Sequence, residues 1–262
     1  MRRFILIFTA LALCAIPVVA RADLDGTEII KWVQWPDPFG WDVKVTQPKI
    51  LADDFPCHEE GWITDVHFWG SWKHGVTGQI TGVHLSIHKD LTGAYPSQPG
   101  ELVWDKDVPV SEIEVVQWPE TGDQGWYDPN IPDEWFYPDH QEMWLVNIEF
   151  RDKAQWFWQE GMVEDPTDPG MLVPSIYWLD IQVQVADPIN TDFGWKTSLD
   201  HWRDDAAWRD EFWTPDVWEK LESPIEPYES LDMAFAITTI PEPGVIVIAG
   251  IGLIALLRRR KT

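Results

Sequence analysis

The sequence predicts an all-β protein, built as a single antiparallel β-sandwich of jelly-roll-like type between two short terminal segments. Three observations carry this. Short apolar runs of period two recur along the chain, broken by Pro, Gly and Asp. Nineteen Trp, 21 Pro and 17 Gly suit strands and turns far better than long helices. Hydrophobic residues make up 45% of the 262 positions, enough for a packed core.

The first segment reads MRRFILIFTALALCAIPVVARAD. Arg2 and Arg3 form a basic start, Phe4 to Val19 an apolar stretch, and Ala20-Arg21-Ala22 a small-residue cleavage site. That order is a secretory signal peptide over residues 1–22, with signal peptidase as its partner and Asp23 as the mature start. Leu13 precedes Cys14 where a lipidation site needs a small residue, so no lipoprotein is expected.

Residues 23–240 form the domain. The alternation is clearest in WITDVHFW, where Trp62, Thr64, Val66 and Phe68 oppose Ile63, Asp65, His67 and Trp69. It continues in VHLSIHK (83–89), MWLVNIEF (143–150), YWLDIQVQV (177–185) and LDMAFAITT (231–239). Weaker strands are expected at Val43–Leu51, Glu101–Val110, Ile113–Gln117 and Phe193–Ser198, making eight or nine in all. Short helical turns are expected at Lys153–Glu160 and Asp204–Phe212. The echoes Gln34-Trp35-Pro36-Asp37 and Gln117-Trp118-Pro119-Glu120 are too short to make a repeat architecture.

Charge narrows the partners. Without the seven basic residues and one acid of the terminal segments, the domain keeps 12 basic and 43 acidic residues. Such a body repels phosphate backbones, which excludes nucleic acid as a partner. With Cys14 removed, Cys57 stands alone and no intramolecular disulfide forms. The fold must rest on its core, or on a core plus metal.

Candidate chemistry is sparse. No HExxH, CxxC, Walker loop, GxSxG elbow or DxDxDG loop occurs. His84 and His88 are four apart, a span of roughly 13 Å on a strand and too long for one ion. The acidic pairs Asp53-Asp54 and Asp204-Asp205 are candidate ligands for a structural calcium, which takes oxygen donors from such loops. The plainer reading is solvated or capping Asp. All 19 Trp lie between the terminal segments. Trp69, Trp72, Trp126 and Trp202 fall in turn-prone sequence and are candidate aromatics for stacking on sugar rings. The plainer reading for each single Trp is core filling.

The tail, PEPGVIVIAGIGLIALLRRRKT, spans 241–262. Its apolar run from Val245 to Leu257 is roughly 20 Å long as a helix, short of a hydrocarbon core of roughly 30 Å. Arg258, Arg259, Arg260 and Lys261 form a basic stop that stays cytoplasmic and leaves the domain outside. Pro241-Glu242-Pro243, an apolar segment and a terminal basic cluster, in that order, resemble the PEP-CTERM sorting signal. The resemblance implies a transmembrane sorting helix, recognition by an exosortase, transient anchoring in the inner membrane of a Gram-negative bacterium, and delivery to the cell surface or extracellular matrix. Seven segments of the domain are similar to a domain of unknown function seen in exported bacterial proteins. They are LADDF, ITDVHFWGSW, LSIH, PGELVW, FGWKTS, HWRDDAAW and LDMAFAIT.

The expectation is therefore a non-enzymatic, exported surface or matrix protein that interacts with extracellular polysaccharide or another matrix component, with no cofactor beyond the candidate calcium. A carbohydrate-active enzyme (hydrolase or lyase) and a ligand-free structural module are the alternatives. Facing carboxylates beside Trp would distinguish the enzyme.

Overall fold

The computed structural model describes residues 28–239 apart from 92–95, 132 and 166. The signal segment with Ala20 and Ala22, and the tail with Pro241, Glu242, Pro243 and Arg258–Lys261, lie outside the described residues. Among the described residues no helix is long and apolar enough to cross a membrane.

Among the described residues nineteen strands follow one another. The first seven are β1 (Ile29–Gln34), β2 (Trp41–Lys44), β3 (Lys49–Cys57), β4 (Gly61–Ile63), β5 (Asp65–Trp72), β6 (Ile80–Asp90) and β7 (Pro99–Pro109). Then come β8 (Ile113–Trp118), β9 (Gln124–Tyr127), β10 (Trp135–His140), β11 (Met143–Glu149), β12 (Phe157–Gln159) and β13 (Met162–Glu164). The last six are β14 (Leu172–Val185), β15 (Phe193–Ser198), β16 (Ala207–Asp210), β17 (Glu219–Lys220), β18 (Asp232–Met233) and β19 (Phe235–Thr239).

They form two curled sheets. One runs β1-β19-β5-β15-β2-β9-β10, with β11 on the far edge of β5 and β8 beyond it. The other runs β17-β16-β3-β14-β6-β7, with β13 on the start of β14. A separate two-stranded ribbon joins β4 to β12. All pairs are antiparallel except β2 with β9, which is parallel. The sandwich-like, all-β architecture agrees with the periodicity.

The core lies between the sheets. Leu179, Ile181 and Val183 sit opposite Ile87, Leu85 and Val83 in register, and all six are buried. They face Val66, Phe68, Val146, Ile148, Phe235 and Ile237 of the first sheet. Each such side chain contributes about 1.5–3 kcal/mol on burial. The outer faces are not simply polar. Trp69, Trp118, Met143, Leu145, Ala234 and Ala236 form a small core behind the first sheet. Ala52, Trp178 and Ala207 form another behind the second.

Several boundaries differ from expectation. The run Val43–Leu51 is two strands in different sheets, because Pro48 has no N–H to give to a ladder and the chain crosses the sandwich there. The helical turn expected at Lys153–Glu160 shrinks to a 3-10 turn at Lys153–Gln155, capped by Asp152 Oδ1 accepting from Ala154 N at 2.9 Å. The residues after it form β12. Asp204–Phe212 is not helical: Ala207–Asp210 pairs with Lys49–Ala52 as strand β16, whose buried Ala207 fits the tight outer face beside Trp178.

Candidate functional site

Three of the four candidate sugar-binding aromatics are core residues. Trp69 is fully buried against Trp118, with ring centroids 5.4 Å apart, and is covered by Trp35 at 5.6 Å. Trp72 packs edge-on to Phe193 at 5.0 Å. Trp126 is buried where Gly194 leaves room for its ring. The WGSW sequence that suggested a turn runs inside β5. Burial therefore removes these three from a ligand platform as the protein stands.

The four candidate calcium ligands do not converge either. Successive residues of a strand face opposite ways. Asp53 points between the sheets, accepting from Gln34 Nε2 at 2.8 Å and Met233 N at 2.7 Å. Asp54 points outward to Arg203 Nη1 at 3.3 Å. Asp204 accepts from Ser97 N at 3.3 Å, and Asp205 is half-buried. Among the described residues no three His, Cys, Asp or Glu side chains are arranged to hold a metal ion. Burial, then the neighbouring Asp232, holds Asp53 well above the usual carboxylate range. Burial also pushes Asp54 up to about 8 despite Arg203.

One buried Ser-His-Asp group escaped the sequence reading, because its members lie on two strands. Ser86 Oγ donates to Asp180, while His88 Nε2 lies 3.0 Å from Asp180 Oδ2 and 3.3 Å from Ser86 Oγ. His88 Nδ1 donates to Gly100 O at 3.0 Å. Nucleophilic catalysis needs the hydroxyl and the carboxylate on opposite ring nitrogens. Here both meet the same nitrogen, and Trp218 stands over the ring at 6.3 Å. The group ties β6 to β14.

The best-formed site lies where the ribbon meets β1 and the end of β19. Its cleft of about 650 Å³ is lined by Ile30, Lys31 and Trp32 of β1, by the 55–62 turn, and by Trp158 and Gln159 of β12. A volume of this size suits a small ligand or one stretch of a polymer. Trp62 and Trp158 are register partners on β4 and β12, with rings edge to face at 5.0 Å. Trp156 adds a third ring at 6.1 Å from Trp62. Trp158 is 43% exposed, an unusual position for so large an apolar surface. Next to it Gln159 is only 1% exposed, and its Nε2 has no acceptor. An unpaired buried amide costs about 1–3 kcal/mol, so it marks either strain or a missing partner. Lys31 Nζ and Cys57 Sγ both donate to Glu59 O, each at 3.1 Å. Burial pushes the Cys57 thiol up, which makes it a poor nucleophile.

A second cleft of about 560 Å³ is lined by Lys89, Glu160, Val163, Tyr177, Trp202 and Arg203. Trp202, the fourth candidate aromatic, is half-buried here and meets Trp32 edge to face at 5.7 Å. Its turn is firmly held: Trp202 N donates to Asp232 Oδ2 at 2.7 Å, and Arg203 adopts φ 63° with its guanidinium 5.6 Å from the Trp202 ring.

A family model described as Domain of unknown function (DUF7901) matches residues 30–238. A second, described as PEP-CTERM protein-sorting motif, matches residues 239–261. No curated protein and no solved structure matches the chain.

Proposed function

The chain belongs to the DUF7901 family and ends in a PEP-CTERM sorting motif, and from that premise we propose that its domain is a non-enzymatic binder of neutral extracellular polysaccharide. The motif marks an exported, envelope-targeted protein that an exosortase recognises. The finer steps belong to the proposal: signal peptidase cuts after Ala22, Val245–Leu257 holds the chain briefly in the inner membrane, and the domain ends at the cell surface or in the matrix of a Gram-negative bacterium.

The observation that carries the binding reading is the exposed Trp158 indole, with half-buried Trp62 beside it, in one cleft with the unpartnered Gln159 amide. A sugar's apolar face packs on Trp158 or Trp62 while a hydroxyl accepts from Gln159 Nε2. The excess of acidic residues argues for an uncharged polymer, since a polyanion would be repelled.

Affinity electrophoresis of the full chain through gels containing dextran, galactomannan or alginate tests this. Retardation by a neutral polymer and none by alginate is expected. Trp158→Ala should weaken the interaction about tenfold, the loss of one aromatic contact. Migration unaffected by every polymer overturns the reading.

A further inference from the structure

We propose that the Trp202–Arg203 cleft is a second saccharide subsite continuous with the first, so that the ligand is a linear chain lying across the Trp32–Trp202 contact. This rests on the reading of the first cleft as a saccharide site.

The two linings share no residue but touch at one point. Trp32 lines one cleft, Trp202 the other, and their rings touch. At the opposite wall Gln159 lines the first cleft and Glu160, the next residue, lines the second. Beside them Gly161 packs tightly on the 58–60 backbone: a Cβ there would stand 2.7 Å from Glu60 N. A ligand leaving one cleft therefore enters the other over a ridge of aromatic edges and one turn.

The second cleft repeats the chemistry of the first. Trp202 supplies the ring, and Val163, Val173 and Ile176 supply apolar floor. Arg203 supplies donors. Its Nη1 faces Asp54 at 3.3 Å and Asp90 at 3.5 Å, while its Nε and Nη2 meet no acceptor among the described residues. Those free N–H groups fit sugar hydroxyls. The Asp90 carboxylate beside it balances the guanidinium, so little charge is left over to attract a carboxylate or sulfate. That again selects an uncharged polymer, on evidence independent of the net charge.

Titration of the full chain with maltose, cellobiose and mannobiose, and with the corresponding hexaoses, tests the proposal. One hexaose should bind about tenfold or more tightly than its disaccharide, the added worth of a second aromatic contact. Trp202→Ala should abolish that gain. Val163→Arg reaches the same end without touching the Trp32–Trp202 packing, since its long side chain fills the cleft from the β13 hairpin. A hexaose gain that survives in either folded variant overturns the second subsite and leaves the first standing. Disaccharide binding with no gain for any hexaose does the same. Failure of every sugar to bind overturns both readings.

Discussion

Lys196 Nζ lies 2.9 Å from Asp42 Oδ2, and neither side chain has exposed surface. His140 Nε2 reaches the same oxygen at 2.9 Å, and Gly40 O takes a second proton of the ammonium at 3.0 Å. Burial holds Lys196 below its usual range, against the pull of Asp42. Removing the ammonium leaves Asp42 with His140 as its partner, so Lys196→Met should cost about 1.5–3 kcal/mol in urea unfolding, the worth of a charged hydrogen bond. Lys196→Met with Asp42→Asn should cost less than the single change. Equal losses would mean that the pair contributes only packing.

A second prediction concerns pH. Asp54 is pushed up to about 8 by burial, and Asp232 to about 6, again by burial first. Burial would hold His140 down, yet its hydrogen bonds to Asp139 and Asp42 outweigh that and raise it to about 9. Each group has a folded value above its unfolded one, so the native state binds more protons across the window between them. The stability from Asp54 is complete below about pH 4 and is lost as pH rises through about 8. For His140 the window runs from about 6.5 to about 9. Thermal melts should therefore show Tm falling from pH 5 to pH 9, and Asp54→Asn should flatten the slope. A Tm that rises over this range contradicts the assignment.

These two networks also show why the sequence told only part of the story. The alternation of Leu179, Ile181 and Val183 sufficed to place β14, because every second residue meets one continuous core. The same alternation turned Trp69 outward, where Trp35 and Trp118 bury it in a small core of its own. Outward and exposed are different properties when a sheet is covered on both faces. Asp53 has the opposite history: an acid in an early strand that reads as a surface ligand is paired inside the sandwich by Gln34. The cleft was least legible. Trp62 and Trp158 become neighbours only through the register of β4 with β12, which no local pattern announces.

Gly70 offers a test of strand placement. In a turn, alanine at this position would be harmless. Inside β5 its Cβ would meet the backbone oxygen of Gly194 on β15 and stand 2.6 Å from the Phe193 ring. Backbone cannot yield as a flexible side chain can, so Gly70→Ala should destabilise by about 2–3 kcal/mol or prevent folding. Chemical denaturation reads the difference. A change under about 0.5 kcal/mol, ordinary for an open surface site, would put Gly70 outside the sheet.

Processing of the tail is separable from the domain. A reporter carrying Pro241 to Thr262 should be cleaved in cells that contain an exosortase and remain whole in cells that lack one. Pro241→Ala should slow that cleavage, seen as accumulation of the larger band on immunoblots. Uncut reporter in both cell types, with no effect of Pro241→Ala, would refute sorting by this route.

Gln159 separates a functional amide from a structural one most cleanly. A buried amide that serves the fold has partners, and its loss costs stability. The Gln159 Nε2 has none, although the residue is 1% exposed. Replacing it with leucine keeps most of the volume and removes an unpaired donor from the interior. Gln159→Leu should therefore leave stability unchanged or raise it by about 1 kcal/mol in urea unfolding. The same change should weaken binding of neutral polysaccharide about tenfold, since a hydrogen bond made only with ligand present is lost. A gain in stability with a loss of binding is the signature of a side chain kept for a ligand. Loss of stability with undiminished binding would assign Gln159 to the fold and leave the cleft to its indoles alone.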